Sequence, residues 1–484
     1  MSVIYALSHV PPEVSAYGMA KYSRSSASMR DSLIELSQQK TEAFLSTFYF
    51  AYGHASIADL AHVPLAIEEI SLLAAMEIVD EALWDGQERS TRYQDFSHGP
   101  YYRPPEAQAT YDASVQTLFK LYQTLFVDAQ ARLSERYPQP DNLAPSAYRR
   151  TMRARAFDLA RYALPLATLT SLGQVTNARV LEQQIRRLMG SELAEVRAIA
   201  AGMKEAVTQT LPFNLLQARL AHLGIPVPEP ILAEMNPGPI APTLIKYTKA
   251  DPNAQAQVQK IRSLVNELFP GISGVAPAVA LYPLHDALDD MLAGIFYQYS
   301  ALSYGEILHR LDDLSLAVKS ELLDDIFSMR GAHEAWPRNL QQRPLIFDIV
   351  VDVGAFRDLN RHRRLEKVAQ GLDHRLGFDV PVEFAEFGLD LAVRSTLEPY
   401  YAHVATQPVD QRPYLLPLAH RRRVLLRMDF AEAAYLIELR SRSSGHFSYR
   451  RIAQAMWDAL QRAYPTLAQH IRVTPMEVYD PFAR

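Results

Sequence analysis

Six prolines, Pro226, Pro228, Pro230, Pro237, Pro239 and Pro242, fall between Gly224 and Pro242, near the middle of a chain of 484 residues. Proline fixes φ and removes a backbone donor, so a stretch this dense predicts neither a regular helix nor a central strand. A chain of this length also exceeds the size at which one hydrophobic core keeps growing. The stretch over 224–243 is therefore read as a linker between a first half, 1–223, and a second, 244–484. Similar landmarks recur in the same order on either side, the mark of an internal repeat. Lys21-Tyr22-Ser23-Arg24 is echoed by Lys246-Tyr247-Thr248-Lys249, and Gly53-His54 by Gly331-Ala332-His333. Ala163-Leu164-Pro165-Leu166 is echoed by Leu415-Leu416-Pro417-Leu418.

The first half reads as long helices, one over about 29–52 and another over about 56–82, with Pro64 placed to delay or kink the latter. Proline-rich loops at about 101–105 and 137–145 flank a helix over about 107–136. Leu166 to Thr176, rich in Thr, Leu and Val, is a strand candidate and leads into helices over about 178–189 and 192–208. In the second half Pro344-Leu345-Ile346-Phe347-Asp348-Ile349-Val350-Val351 is the clearest strand. The stretch over about 279–329 reads as mostly helical, has no counterpart in the first half, and is taken as an insertion. The expected fold class is α+β and helix-rich, each half packing long helices on a small sheet.

Apolar content of 48% and charged content of 21% are those of an ordinary soluble globular protein. No uncharged apolar run reaches helix length, so no membrane span is expected. The start Met1-Ser2-Val3-Ile4-Tyr5 lacks the features of an export signal, which makes the cytoplasm the expected location. A net charge of −5 with interspersed signs speaks against a nucleic-acid polymer and for a small anionic ligand held by a few arginines. The absence of cysteine removes disulfides, thiolate metal sites and thiolate nucleophiles together, and no metal site is expected. No Gly-x-Gly-x-x-Gly or Walker-type loop is present, which argues against a Rossmann cofactor site or a P-loop.

Three segments carry candidate chemistry. Glu88-Arg89-Ser90-Thr91-Arg92-Tyr93 lies in a polar stretch ahead of Pro104-Pro105, where a guanidinium, a hydroxyl and free amides suit a terminal phosphate. The same residues also suit a solvated loop with Glu88 and Arg92 paired on its surface. Arg361-His362-Arg363-Arg364 is either a solvated helix end or an anion site. His54, Ser56 and Asp59 either cap a helix junction or line a site.

Together these fragments resemble the flavin-dependent thymidylate synthases, whose signature sets an Arg-His-Arg triplet about a dozen residues before Asn-Glu-x-Ser-x-Arg. Here the signature is divided between two copies, each similar to a thymidylate-synthase-complementing-protein domain. The first half reads Ile78-Val79-Asp80-Glu81 where the triplet belongs, and the second reads Gln370-Gly371-Leu372-Asp373-His374-Arg375 after its triplet. The resemblance implies that Glu88, Ser90, Arg92, Arg161 and Arg440 bind dUMP, with Arg440 as the catalytic cation facing the pyrimidine. Arg161 is carried by Ala160-Arg161-Tyr162-Ala163-Leu164-Pro165, and Arg440 by Leu439-Arg440, for which the first half offers Arg187 or Leu188. It further implies that Arg361, His362, Arg363, His54, Ser56, Asn177 and Arg179 bind FAD. In the second half Asp429 and Ala431 replace the pair Asn177 and Arg179. The activity implied is reductive methylation of dUMP to dTMP with NADPH and methylenetetrahydrofolate as co-substrates, in a homodimer acting as a pseudo-tetramer with a site composed from both halves. Two alternatives stand beside it: a related flavin- or folate-dependent enzyme acting on a pyrimidine nucleotide, and a nucleotide-binding homologue without turnover.

Overall fold

The computed structural model describes residues 10–21, 33, 55–81, 83–97, 99–236, 238–250, 278–282, 287–299, 304–328 and 345–482. The helix expected over 29–52, apart from residue 33, and His54 and His333 lie outside them. The strands in chain order are β1 (His62–Ser71), β2 (Asp85–Glu88), β3 (Leu169–Asn177), β4 (Val279–Tyr282), β5 (Leu345–Asp352), β6 (Glu366–Ala369) and β7 (Arg421–Met428). The helices used below are α1 (Leu72–Ile78), α2 (Ala109–Arg136), α3 (Pro145–Ala160), α4 (Ala178–Met189), α5 (Ala194–Thr208), α6 (Glu229–Met235), α7 (Val353–Leu359), α8 (Phe430–Arg440) and α9 (Phe447–Ala463). The helix-rich α+β class is borne out, and no helix among the described residues is long and apolar enough to cross a membrane.

Two compact units emerge, one of residues 1–89 and 170–271, the other of 90–169 and 272–484. Packing units and sequence halves are thus different partitions. The segment 90–169 lies in the first half by sequence and in the second unit by packing.

Three elements differ from expectation. The helix expected over 56–82 is a 3₁₀ turn at Ala55–Leu60, then β1, then the short α1. Val63, Ile67 and Ile70 are buried while His62, Pro64 and Glu68 are exposed. Pro64, lacking an N–H, is tolerated because β1 lies at the edge of its sheet. In the linker, Glu229–Met235 forms a short helix after all, because Pro228 is its N-cap and Pro230 falls in its first turn, where no donor is required. The stretch from 279 opens with a strand, β4, before its helices.

The first unit holds a three-stranded sheet ordered β1-β3-β2, with β2 and β3 antiparallel from Asp85↔Val175 to Glu88↔Leu172. Its core gathers Val63, Ile67 and Ile70 of β1, Leu172 of β3, Leu181, Ile185 and Leu188 of α4, and Val196, Met203 and Val207 of α5. The second unit holds a four-stranded antiparallel sheet ordered β4-β5-β7-β6. The orders β1-β3-β2 and β5-β7-β6 match, each placing the last strand in the middle. The helices that follow match as well: α1 after β1 and α7 after β5, α4 after β3 and α8 after β7.

The caps of these helices also correspond. Ser71 Oγ accepts from the Ala74 N–H at 2.9 Å to start α1, and Asp352 Oδ1 accepts from the Ala355 N–H at 2.8 Å to start α7. Asn177 caps α4 through the Val180 N–H at 2.9 Å, and Asp429 caps α8 through the Glu432 N–H at 2.7 Å. The caps Ser71 and Asp352 are each held by a later helix. Glu195 of α5 accepts from Ser71 N–H at 2.8 Å and from its Oγ at 2.7 Å. Ser448 of α9 donates to Asp352. Hydroxyl and carboxylate have exchanged places between the two sheets, and the buried hydroxyl has a carboxylate acceptor in both.

Within the second unit the two Leu-Pro-Leu segments pair with each other. Pro165 and Pro417 form an antiparallel bridge, flanked by Leu418 N–H to Leu164 O at 2.9 Å and Leu166 N–H to Leu416 O at 2.9 Å. Ala419 N–H to Tyr162 O at 3.0 Å and Ala167 N–H to Tyr414 O at 2.9 Å extend the ladder. Corresponding residues bond reciprocally, the pattern that a two-fold axis imposes. This seam lies at the foot of Arg161.

Candidate active site

Arg92 follows β2 in a loop whose turn is held by Ser90, its Oγ accepting the Arg92 N–H at 3.2 Å. The guanidinium makes a bidentate pair with Asp158 of α3, Nε to Oδ1 at 2.6 Å and Nη2 to Oδ2 at 3.0 Å. Nη1 donates to the Tyr449 hydroxyl of α9 at 3.1 Å. Arg92 is therefore engaged by Asp158 and Tyr449 in a largely buried place and is not a solvated loop residue. Burial works against its charge, but Asp158 outweighs burial and holds its pKa well above the ordinary value. Burial pushes the Asp158 carboxyl up, while Arg92, with His446 and Arg161, pulls it well below the carboxylate range.

Arg161 continues from the end of α3 and is 2% exposed. Its Nη1 reaches Asp358 of α7 at 3.5 Å, while Nε and Nη2 have no hydrogen-bond partner. Buried donors without acceptors cost about 1–3 kcal/mol each. A guanidinium left in this state suits an acceptor supplied by a ligand.

Arg440, at the end of α8, is gripped from two directions. Nε donates to His362 Nε2 at 3.0 Å and Nη2 donates to the Asp358 carbonyl at 2.7 Å. Its Cζ lies 5.4 Å from the centre of the Tyr449 ring, and that of Arg92 lies 5.9 Å from the same ring. Both distances are within cation–π range. Asp358 sits among these cations: burial raises its carboxyl, and Arg161, Arg361, Arg92 and Arg440 bring it below the ordinary value.

The triplet divides by exposure. Arg361 is exposed, 3.8 Å from Asp358, and Arg363 is exposed. His362 is 5% exposed, with Nδ1 3.0 Å from Glu432 Oε1. Exposed guanidiniums fit the diphosphate of a flavin dinucleotide; His362 has both ring nitrogens already engaged.

The remaining expected residues lie in the first unit. Asn177 spends its carbonyl on the cap of α4, and Arg179 pairs with Asp59 at 2.8 Å. Glu88 ends β2, and the backbone of Ser56 belongs to the 3₁₀ turn. Arg187, not Leu188, makes the contact corresponding to that of Arg440: its Nη2 donates to the Glu77 carbonyl of α1 at 2.9 Å and its Nε to Glu81 at 2.8 Å.

Thus Ser90, Arg92, Arg161, Arg361, His362, Arg363 and Arg440 all belong to the second unit, and Arg92, Arg161 and Arg440 converge on Asp158, Asp358 and Tyr449. Sequence reasoning missed Asp158, Asp358, Glu432 and Tyr449. Asp158 did leave a signal, since it stands three residues before Arg161 in a helix with an apolar end. No group of His, Asp and Glu suited to a metal ion occurs among the described residues.

A family model described as thymidylate synthase complementing protein matches residues 6–213 and 294–466. A UPF0159 protein of Chlamydia muridarum is 28% identical, covering 97% of this chain and 92% of its own. A UPF0159 protein of Thermoplasma acidophilum is 27% identical, covering 94% of each chain. Among solved structures, the UMP/dUMP methylase PolB from Streptomyces cacaoi, bound with 5-Br dUMP, matches with a TM-score of 0.32 and 13% identity over 41% of this chain and 96% of that one.

Proposed function

The chain belongs to the family of thymidylate synthase complementing proteins, and on that premise we propose that it methylates dUMP to dTMP reductively, with FAD as cofactor and NADPH and methylenetetrahydrofolate as co-substrates. The observation that carries the reading is that Arg92 and Arg440, from opposite halves of the chain, meet at the one ring of Tyr449. A fused duplication is part of the proposal. It is supported by the matching strand orders and by the family match falling in two segments, one on each side of the proline-rich stretch.

Each residue then has a defined task. Asp158 fixes the plane of the Arg92 fork through Nε and Nη2, and Nη1, on the Tyr449 hydroxyl, is the edge left to meet a phosphate. Arg161 offers Nε and Nη2 to nucleotide oxygens and recovers the bonds it lacks. Arg440 meets a pyrimidine carbonyl with a charge whose direction is set before substrate arrives, so no reorganisation is required when negative charge develops on the ring. Arg361 and Arg363 would hold the flavin phosphates, and bound flavin would supply the hydride that completes the methyl group. No protein nucleophile is required, in keeping with a chain that lacks cysteine. A homodimer in the cytoplasm is the assembly and setting proposed.

The test is an absorbance spectrum of the purified protein with FAD, titrated with dUMP, followed by an assay for dTMP. Saturable flavin binding that responds to dUMP, with dTMP formed when both co-substrates are present, is the expected result. Nucleotide binding without flavin binding at concentrations on the order of micromolar would favour the reading as a homologue without turnover. The internal pairing of Arg92 with Asp158 is the feature that such a protein would keep.

A further inference from the structure

We infer that His362, the middle residue of the triplet, is a positioning residue that holds Arg440 through a single neutral tautomer and is not a cofactor ligand. This rests on the reading of Arg440 as the cation at the pyrimidine. The Arg440 Nε–H can only donate, so His362 Nε2 must accept and carries no proton. The ring proton then sits on Nδ1 and is donated to Glu432. Neither nitrogen remains for another group, and the ring is buried in a T-shaped contact with Tyr435.

The first unit supplies an independent observation. Arg187 reaches the Glu77 carbonyl there as Arg440 reaches that of Asp358. Four residues after each carbonyl stands the residue that takes the arginine Nε, Glu81 in one case and His362 in the other. The position is an arginine clamp in both sheets, and only its chemistry differs. Glu81 meets Arg187 with a carboxylate and compensates its charge. His362 meets Arg440 with a neutral acceptor and leaves the cation uncompensated at that contact. Glu432 is needed only in the second case, to hold the imidazole in the accepting tautomer; Val180, which follows the α4 cap as Glu432 follows that of α8, has no such group.

The charged and titratable groups facing His362 are Glu432, Tyr435 and Arg440 from α8 and Lys367 from β6, whose Nζ lies 3.5 Å from the His362 carbonyl; Asp358 of α7 holds Arg440 through its carbonyl. Protonation of Nε2 would turn a donor toward the Arg440 Nε–H and open the clamp. Burial lowers the His362 pKa from 6.5, with Glu432 opposing, so the clamp is intact at neutral pH and opens on acidification below that value.

The deciding measurement needs no variant: nitrogen shifts of selectively labelled histidine in the full chain, followed from neutral pH downward. A neutral ring protonated at Nδ1 is expected, and a ring protonated at Nε2 at neutral pH overturns the inference whether or not the protein makes dTMP. His362→Gln, which can still accept from Arg440 and donate to Glu432, should retain flavin and lose the acid limb of the kcat profile. His362→Leu should retain flavin and lower kcat by about 10²-fold, the effect of a misplaced charge. Loss of flavin by either variant, with normal turnover of the fraction that retains it, would make His362 a cofactor ligand. Failure of the wild-type chain to bind dUMP or flavin would instead overturn the proposed function, and the histidine shifts would still read the clamp.

Discussion

At the scale of single residues, the pair Arg92–Asp158 decides how the site is held. Both members are largely buried, with side chains 15% and 6% exposed, so removing one leaves the other charged and uncompensated. Asp158→Asn is expected to destabilise the fold by about 3–5 kcal/mol, read from denaturant unfolding. Arg92→Ala should lose dUMP affinity by about tenfold or more, the loss of a charge-assisted hydrogen bond, while flavin binding is unchanged by calorimetry. Equal weakening of both ligands would show that Arg92 acts only through the fold. Tyr449→Phe keeps the ring that both guanidiniums approach and removes only the hydroxyl, so its cost in dUMP affinity should be about 1 kcal/mol. The candidate cations were legible in sequence because arginine at motif spacing is visible in one dimension. Their counter-charges were not, because Asp158, Asp358 and Glu432 become partners only when α3, α7 and α8 are packed. The same limit applies to His362, whose neighbours and not its motif determine that it is an acceptor.

At the scale of elements, the caps Ser71 and Asp352 are the points where each unit joins a later helix to its sheet. Ser71→Ala would remove a cap and strip Glu195 of a donor in a buried place, and is expected to cost about 2–3 kcal/mol in a thermal or denaturant melt. Glu195→Gln keeps an acceptor for Ser71 and should cost less. Strands β3 and β5 and helices α2, α4 and α5 could be read from periodicity, since each presents one dominant pattern of burial. β1 could not, because Ala, Leu and Glu favour helix in isolation while its edge position and its alternating contacts favour strand. The same competition explains α6, where prolines that would break a helix interior instead begin one.

At the scale of the whole chain, acid should be the sensitive direction. His362, His420 and His446 all have pKa values lowered by burial from 6.5, His420 to about 4. A histidine kept neutral in the fold contributes stability that is complete above its unfolded value and lost as pH falls through its folded value. For His420 that shift corresponds to roughly 3 kcal/mol. Melting temperature should therefore begin to fall below about pH 6.5, before the lowered carboxyls Asp158 and Asp358 protonate; Asp352, whose carboxyl is raised by burial, works the opposite way. A profile flat down to pH 4.5 would contradict this. Cutting the chain within the proline-rich stretch should give two fragments that co-purify and do not fold alone, because residues 90–169 and 272–484 build one unit. The Leu-Pro-Leu seam also bears on how such a chain varies through descent. Between two identical subunits, a mutation beside the axis strikes both sides at once and is kept only if both tolerate it. Here Pro165 and Pro417 are inherited as separate letters, so one side can drift while the other stays. Glu81 and His362, or Ser71 and Asp352, are pairs that identical subunits have no means of writing.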